Sequence, residues 1–221
     1  MTRCSPGAFA DRASVGAGLT TSAWIAVLAI AAVAATFSTA AQPVAGDKAP
    51  GFHLTDVDGH PVALEQFRGK FVVLEWNNPG CPFVGKHYRS GNMQSLQARE
   101  TAAGVVWLTI NSTNPGHADY ETPAQWAAWI GAQRGAASDW LPDPQGGVGR
   151  SYRAKTTPQM FVIDPGGTIV YSGAIDDRPS TDVADIAGAR NYVEQALREA
   201  RAGKPVSTPS TVPYGCSVKY G

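Results

Sequence analysis

The sequence has few cysteines and no surplus of either charge. Lysine and arginine number 18, as do aspartate and glutamate, so the formal net charge is zero. A chain without excess positive charge has little with which to neutralise phosphates, which argues against a nucleic-acid-binding protein. Three cysteines among 221 residues are too few to hold a small fold together by disulfides. The hydrophobic fraction of 43% instead predicts a globular domain with its own core.

Charged residues are also absent between Arg12 and Asp47, a stretch that contains an apolar run over residues 23–37. This run is shorter than the ~20 residues that cross a bilayer, so an uncleaved membrane anchor is the less favoured alternative. Small residues follow the run up to Ala41, and together these features predict a secretory signal peptide over residues 1–41. The mature protein is then expected to be periplasmic or secreted, without a stable membrane anchor.

Cleavage of the signal peptide would remove Cys4 and leave two cysteines, Cys81 and Cys216. This even pair would reach a compartment in which disulfides persist. Redox chemistry is therefore a candidate function for the mature chain.

The mature chain predicts an α/β fold. Strands and helices alternate in its first half, which requires parallel crossovers, whereas a hairpin signal in the second half indicates antiparallel pairing. We expect a central mixed sheet with helices on both faces over residues 42–204, with an N-terminal hairpin and an extended tail over residues 205–221. The predicted strands are residues 52–55, 61–64, 71–76, 105–111, 159–164 and 168–173. The predicted helices are residues 83–99, 123–133 and 181–202, and residues 140–149 are predicted to be a loop with at most one helical turn.

The position of Cys81 predicts a reactive thiol. It follows the apolar strand FVVLEW in the turn sequence NNPGCP, at the start of the next helix. Unpaired backbone N–H groups and the positive end of the helix dipole favour a thiolate there, and such sites lower a cysteine pKa from ~8.5 to roughly 3.5–7.5. The alternative is a small buried cysteine that only fills space, which is less typical of such a turn.

A strand, a CP-containing turn and a helix, followed much later by TTPQMFVID and PGGTIVYSG, resemble the thioredoxin superfamily. Specifically, about residues 44–204 look like its redoxin branch, the peroxiredoxin-like AhpC/TSA group, with a single cysteine in the active turn. The resemblance implies a thiol oxidoreductase in which Cys81 is catalytic and the Thr157–Pro158 bond is cis and faces it. The expected substrate-binding residues are Trp76, Pro82, Thr157 and Pro158.

The active turn departs from two patterns of the superfamily. Val84 stands where the thioredoxin CxxC has its second cysteine, so the turn cannot close a disulfide by itself. Leu74 and Asn78 stand where the peroxiredoxin PxxxTxxC has its proline and threonine, so the usual means of activating a peroxide is missing. The result is a monothiol site for a hydroperoxide or a protein disulfide, with no cofactor and no metal expected.

Cys216, in the tail sequence PYGCSVKY, is the candidate to resolve an oxidised Cys81. The tail resembles those of redoxin-like proteins that end in a GC-x-[VI]-K pattern, and it is long enough to be mobile and to reach Cys81 within one chain or across a dimer. Cys216 would attack a sulfenic acid or a mixed disulfide on Cys81, and an external dithiol would reduce the resulting pair. Two alternatives stay open. One is a static 81–216 disulfide in a non-catalytic thioredoxin-like binding module, and the other is an unpaired Cys216.

Three further polar residues are given no catalytic role. His87 lies six residues after Cys81, about 600° round a helix, and is expected to be solvated or to face the tail rather than to act as a base or metal ligand. Asp176 and Asp177 are more typical of a loop cap or a solvated turn than of a general acid–base pair.

Overall fold

A five-stranded mixed sheet forms the centre of residues 42–221, which are the residues that the computed structural model describes. The predicted signal peptide lies outside the described residues. None of the helices in residues 42–221 has the length and apolar character needed to span a bilayer. The strands are β1 (His53–Thr55), β2 (Pro61–Ala63), β3 (Val72–Trp76), β4 (Val106–Asn111), β5 (Asp139–Pro142), β6 (Thr156–Thr157), β7 (Gln159–Ile163), β8 (Ile169–Gly173) and β9 (Cys216–Ser217). The α-helices are α1 (Pro82–Arg89), α2 (Asn92–Ala102), α3 (Pro123–Gln133), α4 (Gly147–Tyr152) and α5 (Tyr192–Arg201), with 3-10 helices at Leu64–Phe67 and Val183–Gly188.

The strand order in the central sheet is β5–β4–β3–β7–β8. β3 is parallel to β4, and β4 is parallel to β5, with helical crossovers joining each pair. β7 is antiparallel to both β3 and β8, and it forms the predicted hairpin with β8. The predicted α/β fold, with a parallel first half and an antiparallel second half, is confirmed.

The two faces of the sheet pack against different parts of the chain. Side chains alternate along β3, so Val73 and Glu75 face one side of the sheet, whereas Leu74 and Trp76 face the other. Helices α1, α2, α3 and α5 cover the first side. The hairpin of β1 and β2 covers the second side together with α4. Helices therefore lie on both faces, as predicted.

Trp76 belongs to the core of the second side and not to the surface of the active turn. Its side chain is fully buried, and its ring centroid lies 5.3 Å from that of Tyr152 and 5.5 Å from that of Phe161. The indole Nε1 donates a hydrogen bond to Ser112 Oγ at 3.1 Å. This placement corrects the expectation that Trp76 binds substrate, because the alternation of β3 turns the indole away from the surface.

Two predicted helices are shorter or divided in the structure. The helix predicted over residues 83–99 is divided into α1 and α2 at Gly91, whose φ of +74° lies in the left-handed region that favours glycine. The helix predicted over residues 181–202 begins as a 3-10 helix, and its α-helical part starts only after Asn191. The Asn191 side chain caps α5 by accepting a hydrogen bond from the Glu194 N–H.

Strand β5 overlaps the segment predicted to be a loop, residues 140–149. Its four residues pair with β4 in parallel at one edge of the sheet. The segment has few β-branched residues and contains Asp139 and Pro142, which are uncommon in strands, so its local sequence does not indicate one. Pairing with β4 determines its conformation.

The C-terminal tail is extended, as predicted, but it is docked along the domain rather than free. Near its start, the Ser172 N–H donates to the Pro209 carbonyl and the Thr211 N–H donates to the Ser172 carbonyl, so the tail lies against the outer edge of β8. Farther along, β9 pairs with β6. The tail therefore runs from the edge of the sheet to the segment that precedes Pro158.

Replacing Trp76 with alanine is expected to lower the free energy of unfolding by about 3–5 kcal/mol, because loss of a buried aromatic side chain leaves a cavity. Urea unfolding followed by circular dichroism measures the change. Val212→Ala is the control, because the Val212 side chain is 88% exposed and its truncation is expected to change stability by less than about 0.5 kcal/mol. Equally small effects for the two variants would contradict the burial of Trp76.

Candidate active site

The active turn joins β3 to α1 and is ordered by Asn78. The Asn78 side-chain Oδ1 accepts a hydrogen bond from the Gly80 N–H at 2.7 Å, and its backbone carbonyl accepts one from the Cys81 N–H at 3.0 Å. Its Nδ2 donates to Thr113 Oγ1 at 2.8 Å, which ties the turn to the chain after β4. Cys81 is the N-cap of α1 and the exposed Pro82 is its first residue. Asn78 therefore holds Cys81 in place, a role that the sequence analysis did not assign to it.

The Cys81 thiol points at the residue before Pro158. Its Sγ donates a hydrogen bond to the Thr157 carbonyl oxygen at 3.0 Å, and the Thr157–Pro158 peptide bond is cis. Both features agree with the prediction that Pro158 is cis and lies beside Cys81. The Cys81 side chain is almost completely buried, with 2% of its surface exposed. Access to this thiol therefore depends on what covers it.

The tail places the second thiol next to the first. In the antiparallel pairing of β9 with β6, Cys216 lies opposite Thr157, the residue whose carbonyl accepts the Cys81 hydrogen bond. Both cysteines are free thiols. Burial, followed by the hydrogen bond and the charge of the adjacent Cys81, raises the pKa of Cys216 well above its ordinary value, and Lys219 partly opposes this. The two thiols therefore share one site.

Gly215 allows the tail to approach this closely. Its φ is +139°, and a Cβ at this position would lie 2.0 Å from the Thr157 carbonyl oxygen. Any larger residue would push the tail off β6. The glycine of the GC pattern before Cys216 is thus required by the contact between β9 and β6.

A buried polar cluster anchors the tail just before Cys216. The Tyr214 hydroxyl donates a hydrogen bond to Asp176 Oδ1 and lies 3.3 Å from His87 Nε2. Lys86 Nζ lies 3.6 Å from Asp176 Oδ2 and donates a hydrogen bond to the Arg178 carbonyl at 2.7 Å. Lys86 and His87 are fully buried, and Asp176 is 2% exposed. His87 thus faces the tail, one of its two predicted placements. Asp176 caps its own loop by accepting a hydrogen bond from the Arg178 N–H at 2.9 Å, one of the two placements predicted for it, but it is buried and not solvated.

A second set of contacts anchors the tail after Cys216. The Val218 N–H donates to the Lys155 carbonyl at 2.9 Å, and the Tyr220 hydroxyl donates to the Ala154 carbonyl at 2.8 Å. A Cβ on Gly149 would lie 2.5 Å from the Tyr220 hydroxyl oxygen, so this glycine makes room for the tyrosine. Cys216 is therefore held from both sides.

A buried carboxylate lies on β3 beneath this site. Glu75 is fully buried and accepts hydrogen bonds on both carboxyl oxygens. Burial raises the pKa of Glu75, and the hydrogen bonds, that from Trp107 first among them, oppose the rise. The sequence signal for Glu75 was one acidic residue in an otherwise apolar strand, which the sequence analysis did not use. The five donors are Asn77, Tyr88, Gln97, Trp107 and Thr109.

The AhpC/TSA family model matches residues 45–172 of this chain, a span that contains Cys81 and Pro158. The chain belongs to the AhpC/TSA family. It is 30% identical over 143 residues to a Mycobacterium tuberculosis protein described as a "putative peroxiredoxin", and the match covers 58% of this chain and 82% of that protein. The matched span of the AhpC/TSA family ends in β8, so the tail with Cys216 lies outside it.

Solved structures agree with this family. An uncharacterised conserved protein from Geobacillus kaustophilus has a TM-score of 0.72 and 25% identity, covering 82% of this chain and 94% of its own. A protein from Chlorobium tepidum, described as a "putative thiol:disulfide interchange protein DsbE", has a TM-score of 0.52 and 25% identity, covering 72% of this chain and 98% of its own. The chain is thus a redoxin of the thioredoxin superfamily, as predicted from the turn and the hairpin.

In this redoxin, four of the six predicted site residues meet at one point. Cys81, Thr157, Pro158 and Cys216 lie together where the active turn, β6 and β9 come into contact. Pro82 is exposed at the start of α1 beside them, whereas Trp76 lies in the core. The structure therefore brings the two predicted thiols together at a site that does not include Trp76.

One group of side chains in the described chain has the spacing of metal ligands, and it lies in the turn between β1 and β2. Ligand atoms of Asp56, Asp58 and His60 lie within 4.8 Å of one another. Asp56 Oδ1 already accepts hydrogen bonds from the N–H groups of Asp58 and His60, at 2.9 and 2.8 Å. These hydrogen bonds are those of an ordinary turn, and they explain why the three side chains lie close together.

The burial of His87 makes its protonation unfavourable. Burial lowers the pKa of His87 to about 4, Asp176 opposes this shift and Lys86 adds to it. The unfolded chain takes up this proton near pH 6.5, whereas the folded chain does so only near pH 4. The stability contributed by neutral His87 is therefore fully present above pH 6.5 and is lost as the pH falls towards 4.

Between pH 6.5 and 4, this linkage is expected to cost the wild type roughly 3 kcal/mol of stability, at ~1.36 kcal/mol per pH unit, and His87→Gln is expected to lack that loss. Urea unfolding of both proteins at the two pH values measures it. Carboxyl groups such as Glu75 titrate in both proteins, so their contribution cancels in the difference. Identical pH profiles would show that His87 is not held neutral by the fold.

Proposed function

We propose that the mature chain is an exported thiol oxidoreductase in which Cys81 attacks a hydroperoxide or a disulfide and Cys216 resolves the product. The observation that carries this proposal is the shared position of the two thiols, with Cys216 paired to the residue whose carbonyl accepts the Cys81 hydrogen bond. Membership of the AhpC/TSA family supports the same chemistry at Cys81.

Both candidate substrates lead to the same oxidised protein. With a hydroperoxide, the Cys81 thiolate attacks the distal oxygen, forming a sulfenic acid and releasing an alcohol or water. The Cys216 thiol then attacks the Cys81 sulfur, forming the 81–216 disulfide and releasing water. With a disulfide, Cys81 forms a mixed disulfide and releases one thiol, and Cys216 displaces the second. An external dithiol returns both cysteines to thiols and is itself oxidised to a disulfide.

Approach to Cys81 begins at Pro82, which is exposed at the start of α1. Thr157 and Pro158 are buried beneath β9, so they reach a substrate when the tail leaves β6. A small hydroperoxide needs a narrower opening than a protein disulfide does. With the tail docked, the burial of Cys81 thus favours small oxidants, and displacement of β9 is the requirement for large ones.

A second candidate function is a thioredoxin-like binding module in which an 81–216 disulfide only fastens the tail. The anchoring of the tail on both sides of Cys216 favours this candidate, because a fixed tail needs no turnover. Such a disulfide would add roughly 3–5 kcal/mol of stability through loop closure. The two candidates differ in whether Cys81 consumes an oxidant.

Cys81→Ser is expected to abolish oxidant consumption by the reduced protein, whereas Cys216→Ser is expected to react once and then stall as a sulfenic acid or mixed disulfide. Wild type is expected to form an 81–216 linkage that peptide mapping detects after one equivalent of oxidant. Consumption is measured in parallel with hydrogen peroxide and with a disulfide substrate, and the faster reaction identifies the substrate class. Equal, slow consumption by wild type and both variants would favour the binding module.

Export is expected to remove residues 1–41, because the apolar run ends in the small residues that signal peptidase requires. Intact-mass measurement of the protein from the extracytoplasmic fraction should give a chain that begins at Gln42, or at Ala41 if cleavage occurs one residue earlier. A membrane-bound chain that still carries Cys4 would contradict both the localisation and the two-cysteine count.

A further inference from the structure

The cluster of Lys86, His87, Asp176 and Tyr214 takes no part in the chemistry proposed above. It places one cationic and one anionic side chain in the interior, next to a neutral imidazole. Burial of charged groups is costly unless each one is paired and hydrogen-bonded. The fourth member of the cluster, Tyr214, belongs to the tail and lies two residues before Cys216.

Tyr214 carries most of the attachment of the tail at this point. Within the described chain, residues 212–215 make no backbone hydrogen bond to the body of the domain. The Tyr214 hydroxyl instead reaches Asp176 and His87, its ring packs 5.8 Å from that of Phe83, and Lys86 Nζ lies 5.7 Å from its centroid. One side chain thus fixes the segment that enters β9.

The hydrogen bonds of the cluster run in one direction. Asn92 Nδ2 lies 2.9 Å from His87 Nδ1, which leaves the proton of the neutral ring on Nε2, facing the Tyr214 hydroxyl oxygen at 3.3 Å. The hydroxyl then donates to Asp176, whose carboxylate faces Lys86. A hydroxyl that accepts a hydrogen bond from His87 and donates one to Asp176 has a single preferred position. The tail segment that carries Tyr214 therefore has a single preferred position as well.

We propose that Tyr214 is a positioning residue for the resolution step, and that Asp176 and His87 hold its hydroxyl so that Cys216 stays against Cys81. The inference rests on the proposed function, in which Cys216 resolves Cys81. A thiol held in place reacts at a far higher effective concentration than one on a free tail, for which the effective concentration is about millimolar. Tyr214 therefore speeds the second step, whereas in the first step its hold on the tail can only limit the access of a large oxidant to Cys81.

The two steps can be separated with 5,5′-dithiobis(2-nitrobenzoate), whichever oxidant the protein uses. The first protein thiolate attacks this disulfide, forms a mixed disulfide and releases one nitrothiobenzoate. The second protein thiol loses its proton to solvent and attacks the mixed disulfide, forming the 81–216 bond and releasing the second nitrothiobenzoate. Two cysteine thiols are oxidised, and one reagent molecule is reduced to two coloured thiolates.

With less than one equivalent of reagent and the fully reduced mature protein, wild type is expected to release two nitrothiobenzoates in two phases. Tyr214→Phe is expected to slow the second phase at least tenfold without slowing the first. Tyr192→Phe is the matched control, because this nearby ring stacks on Tyr171 and its hydroxyl has no hydrogen bond within residues 42–221. Its two phases are expected to match those of wild type.

The outcomes distinguish the two proposals. Release of a single nitrothiobenzoate by wild type would contradict the proposed function itself. Two releases with the same second-phase rate in wild type and Tyr214→Phe would overturn only the role of Tyr214. Thermal unfolding checks that each variant is folded. Should Tyr214→Phe be unfolded, His87→Gln removes the imidazole that faces the hydroxyl and is expected to slow the second phase at least threefold. An unchanged rate in that variant would also overturn the proposal.

Discussion

The pairing of β9 with β6 determines the arrangement of the whole cysteine site. Two residues of the tail lie against two residues of the body, and this short ladder sets Cys216 opposite Thr157. The Thr157 carbonyl in turn accepts the hydrogen bond of Cys81, so one backbone position orients both thiols. The other contacts of the tail, from Tyr214 before it to Tyr220 after it, keep this ladder closed. A redoxin turn with a single cysteine thereby gains a second thiol from a distant part of the chain.

Burial has opposite effects on the acidic and basic groups around this site. It raises the pKa of Glu75 and of Cys216 because their charged forms lose water, and it lowers the pKa of His87 for the same reason. Five hydrogen-bond donors compensate for the burial of the Glu75 carboxyl group. Lys86 and Tyr214 partly compensate for that of Asp176. The polar groups beneath the active turn thus depend on each other, although Asp176 Oδ2 and Asn77 Oδ1 accept no hydrogen bond within the described chain, and loss of one member leaves its partners buried without compensation.

Local sequence was sufficient where an element depends on its own residues. The helix predicted over residues 123–133 coincides with α3, whose N-cap is Thr122, and the PGG turn correctly predicted the hairpin of β7 and β8. Strand β5 was missed because only its pairing with β4 makes it a strand. The buried position of Asp176 and the docked tail were also missed, because both depend on contacts between segments far apart in the chain. Cys81 and Thr157 were found because they match a family pattern in which these two distant segments lie side by side.

The early part of the tail has a separate consequence for solubility. Pro209 and Thr211 form backbone hydrogen bonds with Ser172, and the chain around Asp47 forms them with Ile169. The outermost strand β8 therefore already has hydrogen-bonded neighbours along its free side. An uncovered strand of this kind invites pairing with another molecule and hence aggregation. In the proposed reaction, only the segment after Thr211 needs to move for Cys81 to become accessible. The cover on β8 then stays in place, and the protein can open its thiol site without exposing a surface that promotes self-association.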